Sequence, residues 1–184
     1  CDGLLDRMAP VAINRGIILD LGAASGAGSE RLARSFPGSR VIGIDVSGQM
    51  LARAKKKRRF FSKVRQVQAD VMRLPVPGHS VDLAFANLVL PWVADIDGCF
   101  AEVNRVLKKN AVFAFAGLGP DSMREFREAV QSLDVAMEIC RFPDMHDVGD
   151  ALMRAGLRDP VLDVDRLQVS WPSFDAMLAD LTAC

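Results

Sequence analysis

Short apolar runs alternate with amphipathic stretches along the first two thirds of the chain. Five of these runs predict buried strands, because a strand covered on both faces of a parallel sheet does not need to alternate apolar and polar residues. The stretches between them predict helices. The pattern therefore predicts an α/β fold, with a mostly parallel, twisted sheet and helices on both faces. The predicted strands are 17–21, 41–46, 64–69, 81–86 and 111–117.

The predicted helices in this part begin and end at residues with known capping preferences. One helix follows the glycine-rich segment 22–28 and runs to about Ser35. Ser47 is the predicted N-cap of a second helix, which runs through the region of Ala54. A third helix, before the fifth strand, has an apolar face at Phe100, Val103, Val106 and Leu107.

Beyond residue 117 the alternation of strands and helices becomes less regular. Asp121 is expected to cap a helix, and Asp144 to begin another that stops at Gly156. The segment 161–171 predicts one long bent strand or a hairpin, and 173–181 predicts a last amphipathic helix. The apolar face of the Asp121 helix consists of Met123, Phe126, Val130 and Leu133.

Length and composition restrict the class of protein. At 184 residues the chain has the size of one domain, and its 23 basic and 23 acidic residues cancel. No apolar run reaches the roughly 20 residues that a membrane span needs. Four separated cysteines and two histidines give no metal-binding or disulfide pattern, so we expect no metal and a reduced, cytoplasmic setting. The chain begins at Cys1, which suggests a piece of a longer protein.

The most informative segment is the turn between the first strand and the following helix, residues 22–28, which we call the glycine turn. Its small residues let a ligand approach the backbone, and the helix that follows offers free N–H groups with partial positive charge. An anionic group is therefore favoured there. Many nucleotide-binding folds use such a turn, and a tight turn without a ligand is the alternative.

Acidic residues lie at the ends of three successive predicted strands, at Asp20, Asp45 and Asp70. The carboxyl ends of parallel strands meet at one edge, where open α/β folds bind ligands. Asp45 is placed to accept hydrogen bonds from both ribose hydroxyls, and Asp70 from an adenine amino group. A nicotinamide dinucleotide is a competing ligand, because the glycine turn also matches that of short-chain dehydrogenases. Those enzymes need a catalytic tyrosine, and this chain has none.

The segments Leu19-Asp20-Leu21-Gly22, Gly43-Ile44-Asp45-Val46, Asp70-Val71 and 81–87 together resemble class I S-adenosylmethionine-dependent methyltransferases. This resemblance covers 15–118 as a cofactor-binding core within a single domain, 1–184, with 119–184 supplying substrate-side helices and last strands. Ala24 replaces the family's middle glycine. The resemblance implies a Rossmann-like fold, S-adenosylmethionine as cofactor and S-adenosylhomocysteine as product. The implied cofactor contacts are Asp20, Gly22, Ala24, Gly26, Asp45, Val46, Met50, Asp70, Val71, Asn87 and Leu88.

The segments 87–92, 119–122, 142–152 and 154–161 are similar to the malonyl-acyl-carrier-protein O-methyltransferase family of biotin synthesis. That family methylates the free carboxylate of a malonyl thioester. It normally begins earlier, with a helix over the cofactor, and continues to a last antiparallel strand, so both ends of this chain are expected to be trimmed. A related complex I assembly factor, linked to arginine hydroxylation, and a non-catalytic cofactor-binding module are the two alternatives.

Carboxyl methylation needs no catalytic base, since the acceptor is already ionised at neutral pH, with a reference pKa near ~4. We therefore name no catalytic residue, and expect instead side chains that hold the substrate carboxylate. The positioning candidates are Arg141 and His146, with Arg124 behind them, and Trp92 as a wall of the site or a core residue. The alternative is that Arg141 is a surface residue and that His146 merely lies in the first turn of a helix.

Basic residues crowd the segment from Arg53 to Arg65, which contains no acidic residue and which we call the basic run. A solvated helix face and loop is the ordinary interpretation. The more specific one is a docking patch for the acidic acyl carrier protein, since clustered charge steers association. Nucleic acid is not expected, because no recognised binding motif accompanies Phe60 and Phe61.

Overall fold

The structure is a computed structural model and describes residues 2–11, 13, 15–57, 63–132 and 142–182. Arg141, part of the basic run and Leu133 lie outside the described residues. In chain order the elements are α1 (Asp2–Arg7), β1 (Ile17–Leu21), α2 (Ala27–Ser35), β2 (Arg40–Asp45), α3 (Gly48–Lys57), β3 (Arg65–Gln68), β4 (Val81–Asn87), a 3-10 turn (Leu90–Trp92), α4 (Ile96–Val106), β5 (Leu107–Ala116), α5 (Arg124–Gln131), α6 (Met145–Arg154) and α7 (Phe174–Thr182).

The five strands of the described ranges form one parallel sheet in the order β3-β2-β1-β4-β5. All strands therefore end at one edge, which we call the carboxyl edge, and begin at the opposite one, the amino edge. The strand order reverses between β1 and β4, and a crevice opens at such a point outside the carboxyl ends. The predicted α/β fold with a parallel sheet is confirmed.

The core lies on both faces of the sheet because its strands are covered on both sides. On one face Leu19 and Leu21 of β1 pack with Val103 and Val106 of α4. On the other face the core contains these buried residues: Ile18, Leu32, Phe36, Val41, Leu83 and Phe85. A smaller cluster joins α6 to α4 through Phe100, Val148 and Leu152. Truncation of one such side chain to alanine costs about 2–5 kcal/mol.

Ser47, Asp144 and Gly156 cap their helices as the sequence predicts. The Ser47 hydroxyl accepts a hydrogen bond from the Met50 N–H at 3.3 Å, at the start of α3. The Asp144 carboxylate accepts from two N–H groups in the first turn of α6. Gly156 ends that helix with φ +83°, and the Leu157 N–H donates to the Leu152 carbonyl at 3.0 Å, which is the Schellman arrangement.

Two helix and strand boundaries differ from the prediction. α5 begins at Arg124, with Met123 at its N-cap in a left-handed conformation (φ 55°), so the predicted cap at Asp121 is wrong. β5 begins at Leu107, four residues before the prediction. Its first half contains the polar residues 108–110, which lie where the register of its pairing with β4 shifts between Val81 and Leu83. Asn110 lies in that irregularity with φ 64°, a conformation that asparagine tolerates better than most residues.

The predicted strand or hairpin at 161–171 is wrong, since these residues form no regular secondary structure. A strand needs a hydrogen-bonding neighbour, and this segment pairs with none of the five strands of the described sheet. Apolar side chains of the segment are correspondingly exposed, with 93% at Val161 and 87% at Leu167. Arg7 of α1 holds the segment through ion pairs of 2.8 Å to both Asp163 and Asp165.

The helix predicted at 173–181 is confirmed as α7. No helix of the described ranges has the length and apolar character that crossing a membrane requires.

Candidate functional site

The glycine turn has backbone conformations and close contacts that leave little room for side chains. Gly22 has φ +66° and Gly26 has φ +82°, a region that favours glycine. A methyl group at Gly22 would lie 2.5 Å from the Val89 side chain, and one at Gly26 would lie 2.9 Å from Ala54. The exposed Ala24 between them is also left-handed, with φ 45°. The turn therefore packs closely against the segments that follow β4 and β2.

Asp45 links the glycine turn to the start of α3. One of its carboxylate oxygens accepts from the Ala24 N–H at 2.8 Å, and the other accepts from the Ser47 N–H, also at 2.8 Å. Each carboxylate oxygen can accept more than one hydrogen bond, so two ribose hydroxyls can still be received. The side chain is only half-buried, at the carboxyl edge.

Asp20 is placed differently from the other two aspartates. Side chains alternate along a strand, so Asp20 faces the same side as Ile18, toward α2. It is 3% exposed and accepts a 2.6 Å hydrogen bond from the Ser29 hydroxyl. Burial, helped by the nearby Asp45 charge, raises its pKa from 3.8 to about 6, against the lowering effect of the hydrogen bonds from Ser29. Asp20 lies beneath the glycine turn, and its direct contact with a cofactor stays a prediction.

Asp70 follows β3 and is exposed. Its Oδ1 accepts from the Met72 N–H at 2.9 Å. Val71 beside it is half-buried, whereas Val46, after β2, is 71% exposed. The carboxyl edge thus carries a carboxylate with free hydrogen-bonding capacity next to an uncovered apolar side chain, which is a suitable environment for a purine ring.

The end of β4 completes this edge of the sheet. Asn87 is the last residue of β4, and Leu88 follows it with φ 61° and 46% exposure. Trp92, in the 3-10 turn that comes next, is 84% exposed. The expectation that Trp92 packs in the core is therefore wrong, while its role beside a substrate stays a prediction. Met50, in the first turn of α3, is half-buried.

The residues proposed to hold a substrate carboxylate are only partly described. His146 lies in the first turn of α6 with 83% of its side chain exposed, and its backbone N–H donates to the Asp144 carboxylate at 2.7 Å. Arg124 is 63% exposed and lies 3.9 Å from Glu128 of the same helix. Arg141 lies outside the described residues. The structure thus places His146 in a helix's first turn, as the simpler interpretation expected.

The described ends of the basic run, at the end of α3 and the start of β3, lie at the amino edge, because α3 starts at the carboxyl end of β2 and β3 starts at the amino edge. Lys55, Lys56 and Lys57 form the exposed last turn of α3, and Arg65 is the first residue of β3. The sheet separates these cations from the aspartates at the carboxyl edge.

A cavity of about 250 Å³ lies between α2 and α3 and extends from the glycine turn toward the basic run. Ser25 and Gly26 line one end, Arg34 and Lys57 line the other, and Gln66 also borders it. Within the described part of the chain the buried Gln66 Oε1 has no hydrogen-bond partner. The cavity shares the glycine turn with the carboxyl edge but none of its aspartates.

In the ranges that the structure describes, no group of three or more His, Cys, Asp and Glu residues could hold a metal ion.

Several contacts that shape this site were not predicted from the sequence. The Ser29 hydroxyl donates to Asp20, and Gly43 leaves space for Gln66, whose Oε1 would clash with a methyl group at that position. Glu102 accepts a 2.6 Å hydrogen bond from the Leu74 N–H, in the segment that carries Asp70. These are long-range contacts, so no local pattern in the sequence indicates them.

A glycine turn at the switch point of a parallel sheet, with acidic residues after neighbouring strands, defines an α/β protein with a nucleoside-type binding edge. Residues 19–115 match the model of the family described as "Methyltransferase domain". The chain belongs to this methyltransferase family, and the predicted resemblance is confirmed at that level.

Similar proteins include two that are named malonyl-[acyl-carrier protein] O-methyltransferase. One, from Gallionella capsiferriformans, is 35% identical over all of this chain and 65% of its own length. The other, from a Methylovorus species, is 37% identical over 98% of this chain and 63% of its own length. This chain thus spans slightly less than two thirds of these relatives. The crystal structure of an S-adenosylmethionine-dependent methyltransferase from Mesorhizobium loti is 24% identical, with a TM-score of 0.67 over 84% of this chain and 79% of that one. This likeness confirms the Rossmann-like fold.

Proposed function

We propose that this chain is the S-adenosylmethionine-binding part of a methyltransferase that esterifies the free carboxylate of a malonyl group on acyl carrier protein, a step of biotin synthesis. The observation that carries the proposal is the arrangement at the carboxyl edge, where Asp45 joins the glycine turn to α3 and retains capacity for ribose hydroxyls. The relatives named above support the substrate. They favour this reaction over an assembly factor, a hydroxylase or a non-catalytic module.

The residues at this edge fit S-adenosylmethionine. Gly26, the N-cap of α2, has no side chain to cap the helix, so the partial positive charge of the α2 N-terminus is available to the methionine carboxylate. A methyl group at Gly22 has no room. The exposed Val46 and Leu88 give apolar surface that the ligand can cover. In this proposal Asp45 receives the ribose and Asp70 the adenine amino group.

The proposed reaction requires the protein to align the two reactants and to exclude water from the site. When bound, S-adenosylmethionine supplies an activated methyl group on its sulfonium. The malonyl carboxylate is already ionised at neutral pH, so the protein needs no general base. Orienting two reactants in line can contribute ~7–11 kcal/mol, and a dry site strengthens this effect.

His146 and Trp92 remain our proposed positioning residues, together with Arg141. The packing of α6 supports the first two, because Val148 and Leu152 of α6 lie in one cluster with Leu90 of the 3-10 turn. The elements that carry His146 and Trp92 are therefore held together by a common core. Because the His146 side chain is exposed, it would bind the substrate carboxylate effectively only when the bound substrate shields this contact from water.

The acyl carrier protein remains the proposed partner, with a modified role for the basic run. Strands of five to seven residues span roughly 17–23 Å at about 3.3 Å per residue, so a carrier held at the amino edge is far from the cofactor. We therefore propose that Lys55, Lys56 and Lys57 steer the carrier during encounter and do not hold it at the methyl group. Replacing all three by glutamate should lower kcat/KM and its salt dependence but leave kcat unchanged. A lowered kcat would support docking on the run itself.

Two experiments test the proposed function. Calorimetry measures whether S-adenosylhomocysteine binds this chain, and absence of binding would reject the cofactor site. Incubation with labelled S-adenosylmethionine and malonyl-acyl carrier protein should then give a base-labile methyl ester, with acetyl-acyl carrier protein as the control that lacks a free carboxylate. Label in the acetyl sample, or co-purification with a respiratory subunit without any ester, would favour a protein-modifying alternative.

We also propose a cytoplasmic location, where malonyl-acyl carrier protein is made.

A further inference from the structure

The segment that carries Asp70, residues 69–80, connects β3 to β4, and we call it the β3–β4 loop. It lies against α4 on the sheet face opposite α2. The Met72 side chain of the loop reaches α4, where its Cε would lie 2.7 Å from a methyl group at Gly98. Leu74 and Val76 of the loop also pack in one cluster with Val103 and Val106 of α4.

Two side chains of α4 bind the backbone of this loop. Glu102, with 14% of its side chain exposed, accepts from the Leu74 N–H at 2.6 Å. Arg105 donates to the Leu74 and Val76 carbonyls at 3.2 Å each. The same guanidinium donates to both oxygens of Glu102, at 2.7 and 2.8 Å. These hydrogen bonds from Arg105 lower the pKa of Glu102 and keep it ionised. The pair thus satisfies one donor and two acceptors of the loop backbone.

These contacts lie next to the turn that orients Asp70. The Asp70 Oδ1 accepts from the Met72 N–H at 2.9 Å, and its carbonyl accepts from the Arg73 N–H at 3.0 Å. Leu74, the residue held by Glu102, follows directly. Leu74 is therefore joined to the Asp70 carboxylate by a short hydrogen-bonded turn.

We infer that Glu102 and Arg105 are positioning residues for the cofactor: they hold the β3–β4 loop so that Asp70 faces the adenine. The inference rests on the proposed function, because it assumes that Asp70 contacts the adenosyl group. It assigns to this pair a role in cofactor affinity, beyond support of the fold. Neither residue touches the reacting atoms.

Asp82 provides a matched control. It also accepts a backbone N–H, that of Ile17 at 2.8 Å, and it also pairs with a cation, Lys108 at 2.8 Å. Asp82 is the second residue of β4 and lies near the amino edge, just after the β3–β4 loop and at the end of it that is far from Asp70 and Leu74. Loss of either carboxylate should therefore reduce stability, but only loss of Glu102 should affect the cofactor.

The test compares Glu102→Ala, Glu102→Gln and Asp82→Ala with the unchanged protein. We expect Glu102→Ala to raise the Kd of S-adenosylhomocysteine about tenfold, as loss of a charge-assisted hydrogen bond does. Glu102→Gln keeps an acceptor for Leu74 and should give a smaller rise. Asp82→Ala should lower Tm with an unchanged Kd. Equal effects of Glu102→Ala and Asp82→Ala on Kd would overturn the inference, as would no effect of Glu102→Ala.

Two further measurements distinguish failure of the proposed function from failure of this inference alone. Amide hydrogen exchange of Leu74 should be faster in the Glu102 variants and unchanged in Asp82→Ala, whether or not cofactor is present. The affinity for 5′-methylthioadenosine, which keeps the adenosine and the sulfur but lacks the amino-acid part, should fall by the same factor as that for S-adenosylhomocysteine. If the unchanged protein binds neither compound, the proposed function and this inference both fail. If it binds both and Glu102→Ala does not alter either Kd, only the inference fails. Should Glu102→Ala not fold, Glu102→Gln and Arg105→Lys carry the same comparison.

Discussion

The buried Asp20 makes a specific prediction about stability and pH. Its pKa is raised from 3.8 to about 6, mainly by burial, so the folded protein binds a proton more tightly than the unfolded chain does. The contribution of this group to stability is then complete below about pH 3.8 and is lost as the pH rises through about 6. At about 1.4 kcal/mol for each pH unit, the difference between the two pKa values corresponds to about 3 kcal/mol.

Asp20→Asn removes this cost, because the amide oxygen can still accept the hydrogen bond from Ser29 and carries no charge. We expect the variant to be more stable than the unchanged protein by about 2–3 kcal/mol at pH 8, and the difference to disappear near pH 4. Denaturant unfolding at several pH values measures it. Other carboxylates such as Asp82 and Glu102 have lowered pKa values, and their opposite pH dependence cancels in the comparison because both proteins contain them.

A stability difference that does not change with pH would refute this reasoning. A difference that grows toward low pH would refute it more strongly, since the sign would be reversed. Ser29→Ala serves as a second variant, because loss of the hydroxyl removes the hydrogen bond that lowers the Asp20 pKa. The pH range over which stability is lost should then move upward.

Three further predictions concern the turns and caps of the site. Gly22→Ala should lower stability by about 1–3 kcal/mol in denaturant unfolding, because of its φ of +66° and the nearby Val89, whereas Gly119→Ala, with nothing within 4 Å, should change it little. Asp45→Ala should raise the calorimetric Kd of S-adenosylhomocysteine at least about tenfold, and a Kd equal to that of the unchanged protein would remove Asp45 from the site. Asp95→Ala should cost about 1 kcal/mol through loss of the N-cap of α4, and Asp95→Asn, which can still accept the hydrogen bond, should restore most of it.

Most of the sheet could be predicted from the sequence because β1, β2, β4 and the second half of β5 are nearly continuous apolar runs bounded by turn residues, whereas β3 is largely polar. The helix ends at Asp144 and Gly156 were predictable for a different reason, since capping depends on residues a few positions apart. The segment 161–171 was not predictable in this way. Its apolar residues favour a strand, but a strand also needs a neighbour, and a local pattern contains no information about one.

The candidate site shows the same division between local and long-range information. The glycine turn and Asp45 follow from their places at strand ends. The burial of Asp20 depends on which face its side chain takes, and the partner Ser29 lies on the next helix. The contact between Glu102 and Leu74 joins residues 28 apart through a backbone N–H, which has no signature in the sequence. Exposure of Trp92 likewise depends on what packs around it.

The central claim is that one adenosyl ligand lies across the carboxyl edge, from the glycine turn to the β3–β4 loop. A crystal structure of the protein with S-adenosylhomocysteine tests it most directly. We predict electron density with the ribose hydroxyls at the Asp45 carboxylate, the adenine amino group at Asp70 and the homocysteine carboxylate at the N-terminus of α2. Density for the ligand at another place, for example in the cavity between α2 and α3 with no contact to Asp45 or Asp70, would contradict the account.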